Sequence, residues 1–209
     1  MQKELKSITS FRFKKSELGA FQDVKQLSGL FKKGCRIGGL TDGSFSLIDL
    51  IKGLINKTGK ANLCVVTWSA GIKDAHNIAW MKDSDIISTF TLVTDHSYKT
   101  RQPRYALSIE DAFGLDCIRT SEIHAKFTLI WNEDFNVIIR TSMNLNANKT
   151  IETFEIDEDK EVFSFYHSFV EHLLNNQKPG FLSASGTVNR SVATYFAKTV
   201  KANSTWSDL

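Results

Sequence analysis

Short apolar segments rich in β-branched residues alternate with segments of helical periodicity, and this alternation restricts the fold of the chain most. Residues 61–68 (ANLCVVTW) form a continuous apolar run, which is typical of a buried strand. Residues 160–175 form the clearest helix, because apolar side chains recur there at intervals of three and four. Strands that alternate with helices predict an α/β fold, in which a mostly parallel or mixed sheet is flanked by helices.

The same patterns predict the remaining elements. Helices are expected at 44–56 with Ser44 as N-cap, at 72–81, and at 104–113 before Gly114. Strands are expected at 86–95, within 116–131 with a break near Ser121, and at 136–141. The glycine-rich residues 34–43 lack the GK[ST] of a phosphate-binding loop, and we expect a loop before the first helix.

The length of 209 residues suits one domain with a core of its own. We predict a basic N-terminal segment at 1–33, a central domain at 34–175, and a C-terminal tail at 176–209 whose helical patch near 192–200 is either a docking helix or a loose end. Residues 1–36 carry nine basic against three acidic side chains, which favours contact with phosphates or forms a solvated surface.

Composition removes several classes of protein. No apolar run is long enough to span a membrane, and the first residues lack the apolar region of a secretory signal. Cys35, Cys64 and Cys117 are too few and too widely spaced for a disulfide framework or a CxxC metal site. We therefore expect reduced thiols in a cytoplasmic protein that needs neither a metal nor a cofactor.

Residues 123–156 carry the most informative side chains. His124 and Lys126 lie two apart on a predicted strand and would share a face. A three-residue turn at 132–134 would place Lys126 opposite Arg140 and His124 opposite Ser142, with Asn144 on the same face. Each of these groups can donate a hydrogen bond, so the patch suits an anion rich in oxygens, such as a phosphate.

These residues resemble the signature of the phospholipase D superfamily, which is HxK, then GSxN, then an acidic residue. The matching positions are His124-Ala125-Lys126, then Thr141-Ser142-Met143-Asn144, then Glu155. The run Ser142, Asn144, Leu145, Asn148 is also similar to the nuclease-like branch. The chain departs from the pattern where Trp131 replaces an aspartate and Thr141 replaces the glycine, and Glu152 is an alternative acidic position.

The resemblance implies a mechanism in which one histidine attacks phosphorus and a second protonates the leaving oxygen. This sequence has a single HxK, so the second imidazole is expected from another copy of the chain in a homodimer. His124 would then be nucleophile in one subunit and general acid in the other. Lys126 and Asn144 would bind phosphate oxygens, Ser142 would hydrogen-bond near the phosphate, and Glu155 would orient His124.

The expected function is a metal-independent phosphodiesterase, and more specifically a nuclease that acts on DNA or RNA. Nucleic acid is favoured over lipid by the basic N-terminal segment, by the basic residues 96–104, and by the lack of an amphipathic membrane anchor. Two alternatives stay open. One is a phospholipase or another phosphodiesterase, and the other is a nucleic-acid-binding or assembly protein with little catalysis.

Overall fold

The computed structural model describes residues 16–147, 149–182 and 192–197. Eight strands lie in this part of the chain: β1 (Ser16–Ala20), β2 (Arg36–Thr41), β3 (Ala61–Thr67), β4 (Ile87–Asp95), β5 (Ile118–Ser121), β6 (Phe127–Trp131), β7 (Asn136–Thr141) and β8 (Glu152–Glu158). Its principal helices are α1 (Val24–Leu30), α2 (Leu47–Thr58), α3 (Ile72–Asp83), α4 (Tyr98–Arg101), α5 (Pro103–Phe113) and α6 (Lys160–Asn176). The predicted α/β class is confirmed.

All eight strands form one sheet in the order β1-β2-β8-β7-β6-β3-β4-β5. The pairs β1/β2, β3/β4 and β4/β5 are parallel, whereas the four pairs from β2 to β3 through β8, β7 and β6 are antiparallel. The sheet is therefore mixed rather than largely parallel. Tight connections such as the β6–β7 hairpin force antiparallel neighbours, and helical crossovers produce the parallel pairs.

Helices cover both faces of the sheet. One face packs against α1, α2, α3 and α5 through a large apolar cluster that includes Leu27, Leu50, Ile78 and Ile109. The opposite face packs against α6 through a smaller cluster of Cys64, Val66, Leu129, Ile138, Val162, Phe163, Val170 and Leu173. This three-layer arrangement buries the alternating side chains of the central strands on both sides.

The glycine-rich residues 34–43 form β2 rather than a loop, so that prediction was wrong. Gly39 pairs with Gly19 of β1 and with Phe154 of β8. A Cβ atom at Gly39 would lie 2.1 Å from the carbonyl oxygen of Gly19, which only a residue without a side chain avoids. The glycine here permits close strand pairing, and a glycine-rich segment is easily mistaken for a loop.

The packed unit extends N-terminally of the predicted boundary at residue 34. Strand β1 joins the sheet, and the side chains of Phe21, Leu27 and Phe31 are buried in the larger apolar cluster. At the other end, the carbonyl of Leu182 accepts a hydrogen bond from Thr120 on the edge strand β5, at 3.2 Å. The predicted basic segment up to residue 15 and most of the predicted tail lie outside the described residues.

The helices begin close to the residues predicted from the sequence, with one exception. The N-cap of α2 is Ser46 rather than Ser44, because the Asp49 carboxylate accepts from both the backbone N–H and the hydroxyl of Ser46, at 2.9 and 2.7 Å. Helix α6 begins after Asp159, whose carboxylate accepts from the backbone N–H groups of Glu161 and Val162. None of the described helices combines the length and apolarity that a membrane span requires.

Candidate active site

One edge of the sheet collects the ends of the strands that carry the predicted site. Strands β3 and β7 end there at Thr67 and Thr141, whereas β6 and β8 begin there at Phe127 and Glu152. The antiparallel pairing of β3 with β6, β6 with β7, and β7 with β8 produces this alternation of ends and starts. Residues far apart in sequence thus meet at the same edge.

The hairpin that carries His124 and Lys126 differs from the predicted register by one residue. Phe127, not Lys126, pairs with Arg140, and Trp131 pairs with Asn136 rather than Phe135. The Asn132 side chain accepts from the backbone N–H groups of Asp134 and Phe135, at 3.0 and 2.9 Å, and so stabilises a longer turn. His124 and Lys126 consequently precede β6 instead of lying in it.

Lys126 remains next to the SxN segment despite the changed register. Its carbonyl oxygen accepts from the Thr141 N–H at 3.1 Å, which places Lys126 beside the residue that precedes Ser142. Its ammonium group donates to the carbonyl oxygen of His124 at 3.0 Å. Partial burial lowers the pKa of Lys126, and the negative charge of Glu152 acts in the opposite direction.

Ser142 and Glu152 are in direct contact. The Ser142 hydroxyl donates to one carboxylate oxygen of Glu152, and Thr150 donates to the other at 3.1 Å. The Ser142 oxygen also accepts from the backbone N–H of Thr153 at 2.9 Å. Ser142 is exposed, so its hydroxyl stands at the surface of the site while the start of β8 fixes its position.

Asn144 is held by the end of β3. Its side-chain oxygen accepts from the Thr67 hydroxyl at 3.3 Å, and the backbone N–H of Leu145 bonds to the same hydroxyl oxygen at 3.2 Å. With its oxygen occupied, the carboxamide keeps its N–H groups for a ligand. Asn148, the last residue of the predicted S-x-N-L-x-x-N run, lies outside the described residues.

Glu155, the acidic residue that the resemblance implies, lies beside two arginines. Its two carboxylate oxygens lie 3.5 Å from Arg36 Nε and 3.0 Å from Arg140 Nη2. Both arginines also contact the buried carboxylate of Asp157. Glu152, the alternative position, is the glutamate that contacts Ser142, and its charge acts on the pKa of Lys126. Glu152 is the first residue of β8 and so lies at the site edge, whereas Glu155 lies three residues further along the strand, opposite Arg140.

His124 is exposed, and its ring lies 5.9 Å from the Trp68 ring between centroids. Trp68 follows β3 directly, at the end of the strand that the sequence predicts over 61–68. The Arg101 guanidinium lies 3.8 Å from the centre of the Trp68 ring. Arg101 belongs to the basic residues 96–104, which form α4 and the start of α5.

The other four histidines lie in different parts of the structure. His76 is exposed on α3, and His167 on α6 packs against Trp131 and Phe163. His172 on α6 packs against Tyr195, while His96 follows β4 with its Nδ1 3.6 Å from a carboxylate oxygen of Asp95. Within the described ranges, no three His, Cys, Asp or Glu side chains group in a way that could hold a metal ion.

The arrangement can bind and attack an anion. Lys126 offers a positive charge, Asn144 and Ser142 offer polar groups, and His124 offers a nucleophilic imidazole on the same sheet edge. Burial of Cys64 in the sheet raises the pKa of its thiol, and Cys35 is buried as well, which makes them poor nucleophiles. The exposed imidazole of His124 is therefore the candidate nucleophile that the resemblance also implies.

Comparison with known proteins finds no matching family model and no matching curated protein, but it finds similar solved structures. Nuc, a phospholipase D family member from Salmonella typhimurium, is 11% identical, with 69% of this chain and 96% of its own covered and a TM-score of 0.47. NucT from Helicobacter pylori is 13% identical, with 67% and 96% covered and a TM-score of 0.48.

A third similar structure is the phosphatidylserine synthase from Haemophilus influenzae. It is 14% identical, with 80% of this chain and 46% of that chain covered and a TM-score of 0.47. Because these identities and TM-scores are low, the function of this chain has to rest on its own side chains.

Proposed function

We propose that this chain is a phosphodiesterase of the phospholipase D type that hydrolyses nucleic acid through a phosphohistidine. The observation that carries the proposal is the meeting of HxK with SxN and Glu152 at one sheet edge. Lys126 contacts Thr141 through the backbone, Ser142 contacts Glu152, and the Glu152 charge acts on Lys126. A chance HxK would not be accompanied by these partners.

In the first step, a ring nitrogen of His124 attacks phosphorus while a second imidazolium gives its proton to the leaving oxygen. The N–P bond forms as the P–O bond to the leaving group breaks. In the second step, the second imidazole takes a proton from water, whose oxygen attacks phosphorus and releases His124. Lys126 and the Asn144 N–H groups stabilise the charge on the non-bridging oxygens, so the proposed mechanism requires no metal.

The second imidazole is assigned to His124 of another copy, with the two sites meeting at a two-fold axis. The sequence contains only one HxK; His167 packs against Trp131 at the far end of β6, whereas His96 follows β4 at the site edge without a lysine two residues later. His124 is exposed, as a residue shared between two subunits must be before they associate. A homodimer is therefore part of the proposed function.

Nucleic acid is the proposed substrate because the N-terminal part of the chain is strongly basic, with nine basic against three acidic residues in 1–36. A second candidate is a binding or assembly protein with little turnover. Trp131 at the position of the family aspartate favours this candidate, since its ring packs against Phe163 and His167 instead of serving the site.

Cleavage of single-stranded and plasmid DNA and of RNA in EDTA tests the proposal. We expect turnover that survives the chelator, because Lys126 supplies the positive charge in place of a metal ion. Loss of cleavage in EDTA with recovery on adding Mg²⁺ would contradict the mechanism. Salt-dependent binding without turnover of any of these substrates would instead favour the binding protein.

Mixed dimers test the shared site. Wild-type and His124→Ala chains are unfolded together in equal amounts, refolded, and assayed for cleavage. If each site needs His124 from both subunits, random pairing leaves about one quarter of the wild-type activity, whereas independent sites leave about one half. Sizing of the same samples establishes that they are dimers, and a fully active monomer would overturn the shared site.

The choice between the two glutamates gives a matched pair of variants. Glu152→Gln should lower kcat roughly 100-fold, because it removes the partner of Ser142 and the charge beside Lys126. The Glu152 charge raises the pKa of Lys126, so its removal should lower that pKa further. The alkaline limb of the pH–rate profile should therefore move to lower pH, because Lys126 loses its proton earlier.

Glu155→Gln is the control for this pair, because its carboxylate binds Arg36 and Arg140 instead of the site. We expect its kcat and alkaline limb to stay close to those of the wild type. A large loss of kcat in Glu155→Gln with little change in Glu152→Gln would indicate that Glu155 is the acidic residue of the site, as the sequence resemblance implies.

A further inference from the structure

The His124 ring has no hydrogen-bond partner in the part of the chain that the structure describes, although the proposed reaction needs a fixed nucleophile. The carboxylate oxygens of Glu152 bond to Ser142 and Thr150, and those of Glu155 face two arginines. The contact that the structure gives the imidazole is the Trp68 ring, at 5.9 Å between centroids and 55° between planes. This geometry is ordinary for a packed aromatic pair.

Trp68 is itself held on a short loop after β3. The Arg101 guanidinium lies 3.8 Å from the centre of its ring, and Arg101 Nη2 donates to the Trp68 carbonyl oxygen at 3.1 Å. Arg101 Nε also donates to the Ser97 hydroxyl at 2.8 Å. One side chain therefore contacts both the ring and the backbone of Trp68, and a planar guanidinium is suited to such stacking.

Asp95 connects the Trp68–Arg101 contact to the segment that carries His124. Its Oδ1 accepts from the hydroxyl of Ser97 and, at 2.9 Å, from the Ser97 N–H. Its Oδ2 accepts at 3.3 Å from the N–H of Ile123, the residue before His124. Burial raises the pKa of Asp95, but the hydrogen bonds from Ser97 outweigh it and the net pKa is lowered. The carboxylate thus stays ionised at neutral pH.

We propose that Trp68 is a positioning residue that restricts the rotation of the His124 imidazole, and that Arg101 and Asp95 hold this aromatic contact in place. Asp95 fixes the backbone on the His124 side, and Arg101 fixes the indole on the other. The effect on turnover rests on the proposed function, because a nucleophile held near its line of attack reacts faster than a freely rotating one. None of the three side chains belongs to the HxK or SxN motif.

Steady-state cleavage kinetics distinguish positioning from substrate binding. Trp68→Ala should lower kcat roughly 10- to 100-fold with KM nearly unchanged, whereas Trp68→Phe should keep most of the activity because a ring remains. Arg101→Gln should lower kcat roughly 10-fold. Trp80→Ala is the control, since Trp80 is a 58% exposed tryptophan on α3. A raised KM with unchanged kcat in Trp68→Ala would make Trp68 a stacking platform for a base and overturn the proposal.

Proton NMR of the imidazole signals tests the contact without any substrate. The His124 signals are assigned by their loss in His124→Ala, and the ring current of Trp68 should displace them in the wild type. Trp68→Ala and Arg101→Gln should return them toward the positions of a free imidazole, and Trp80→Ala should not. Unmoved signals in both variants would overturn the proposal, whereas intact shifts in a wild type that cleaves nothing would overturn only the proposed function.

Discussion

Replacing His124 with alanine should lower phosphodiester cleavage by roughly 10⁴-fold, because the variant loses the nucleophile and, in the dimer, the general acid as well. The side chain is exposed and makes no hydrogen bond to the described residues, so the fold should tolerate the change. Cleavage of a labelled oligonucleotide in EDTA, with the melting temperature measured alongside, gives both results.

Two other histidines serve as references for this variant. His76→Ala removes an exposed imidazole on α3 and should leave cleavage unchanged. His96→Ala separates two models of the second imidazole, because His96 follows β4 at the same sheet edge. If the second group comes from the partner's copy of HxK, His96→Ala should retain most of the activity. A loss as large as that of His124→Ala would indicate a second imidazole from the same chain.

Asp157→Asn should lower the free energy of unfolding by about 3 kcal/mol, which is the largest stability effect we expect from a single charge. Its side chain is 0% exposed, and it accepts from Arg36 Nε at 2.7 Å and from Arg140 Nη2. The hydrogen bond to Asp157 is the main cause of the raised pKa of Arg36. An amide would remove the buried charge that balances two guanidinium groups.

Glu155→Gln is the matched comparison for stability as well as for kinetics. Glu155 contacts the same two arginines, but its side chain is 40% exposed, so water screens the interaction. We expect a loss of about 1 kcal/mol or less in urea denaturation. Equal losses for Asp157→Asn and Glu155→Gln would show that burial does not set the strength of this network.

This group of arginines and carboxylates also shows the effect of a one-residue shift in strand register. The sequence predicted Lys126 opposite Arg140, which would have placed Arg140 beside the phosphate. In the structure Arg140 pairs with Phe127 and its side chain binds Asp157 and Glu155. The difference arises from the Asn132 side chain, whose hydrogen bonds lengthen the turn. Local turn chemistry of this kind is hard to read from apolar periodicity.

The fold class could be predicted from the sequence alone, and so could a set of candidate site residues. Continuous apolar runs and three-to-four spacing report burial directly, so β3, β4, β7, α3, α5 and α6 were predicted nearly at their observed bounds. The residue types and spacing of His124, Lys126, Ser142 and Asn144 made them the predicted site, and their catalytic roles stay predictions. These patterns involve residues that are close together in sequence, so they can be recognised without knowledge of the fold.

Strand pairing in the folded chain sets which acidic residue contacts Ser142 and which ring lies beside His124. Glu152 and Glu155 lie three apart in one strand, and only the pairing of β8 with β2 and β7 shows which one reaches the edge. Trp68 follows β3, whereas Asp95 ends β4 and Arg101 ends α4, and none of the three shares a motif with His124. Contacts between distant segments depend on strand order and register, which the local pattern of side chains does not specify.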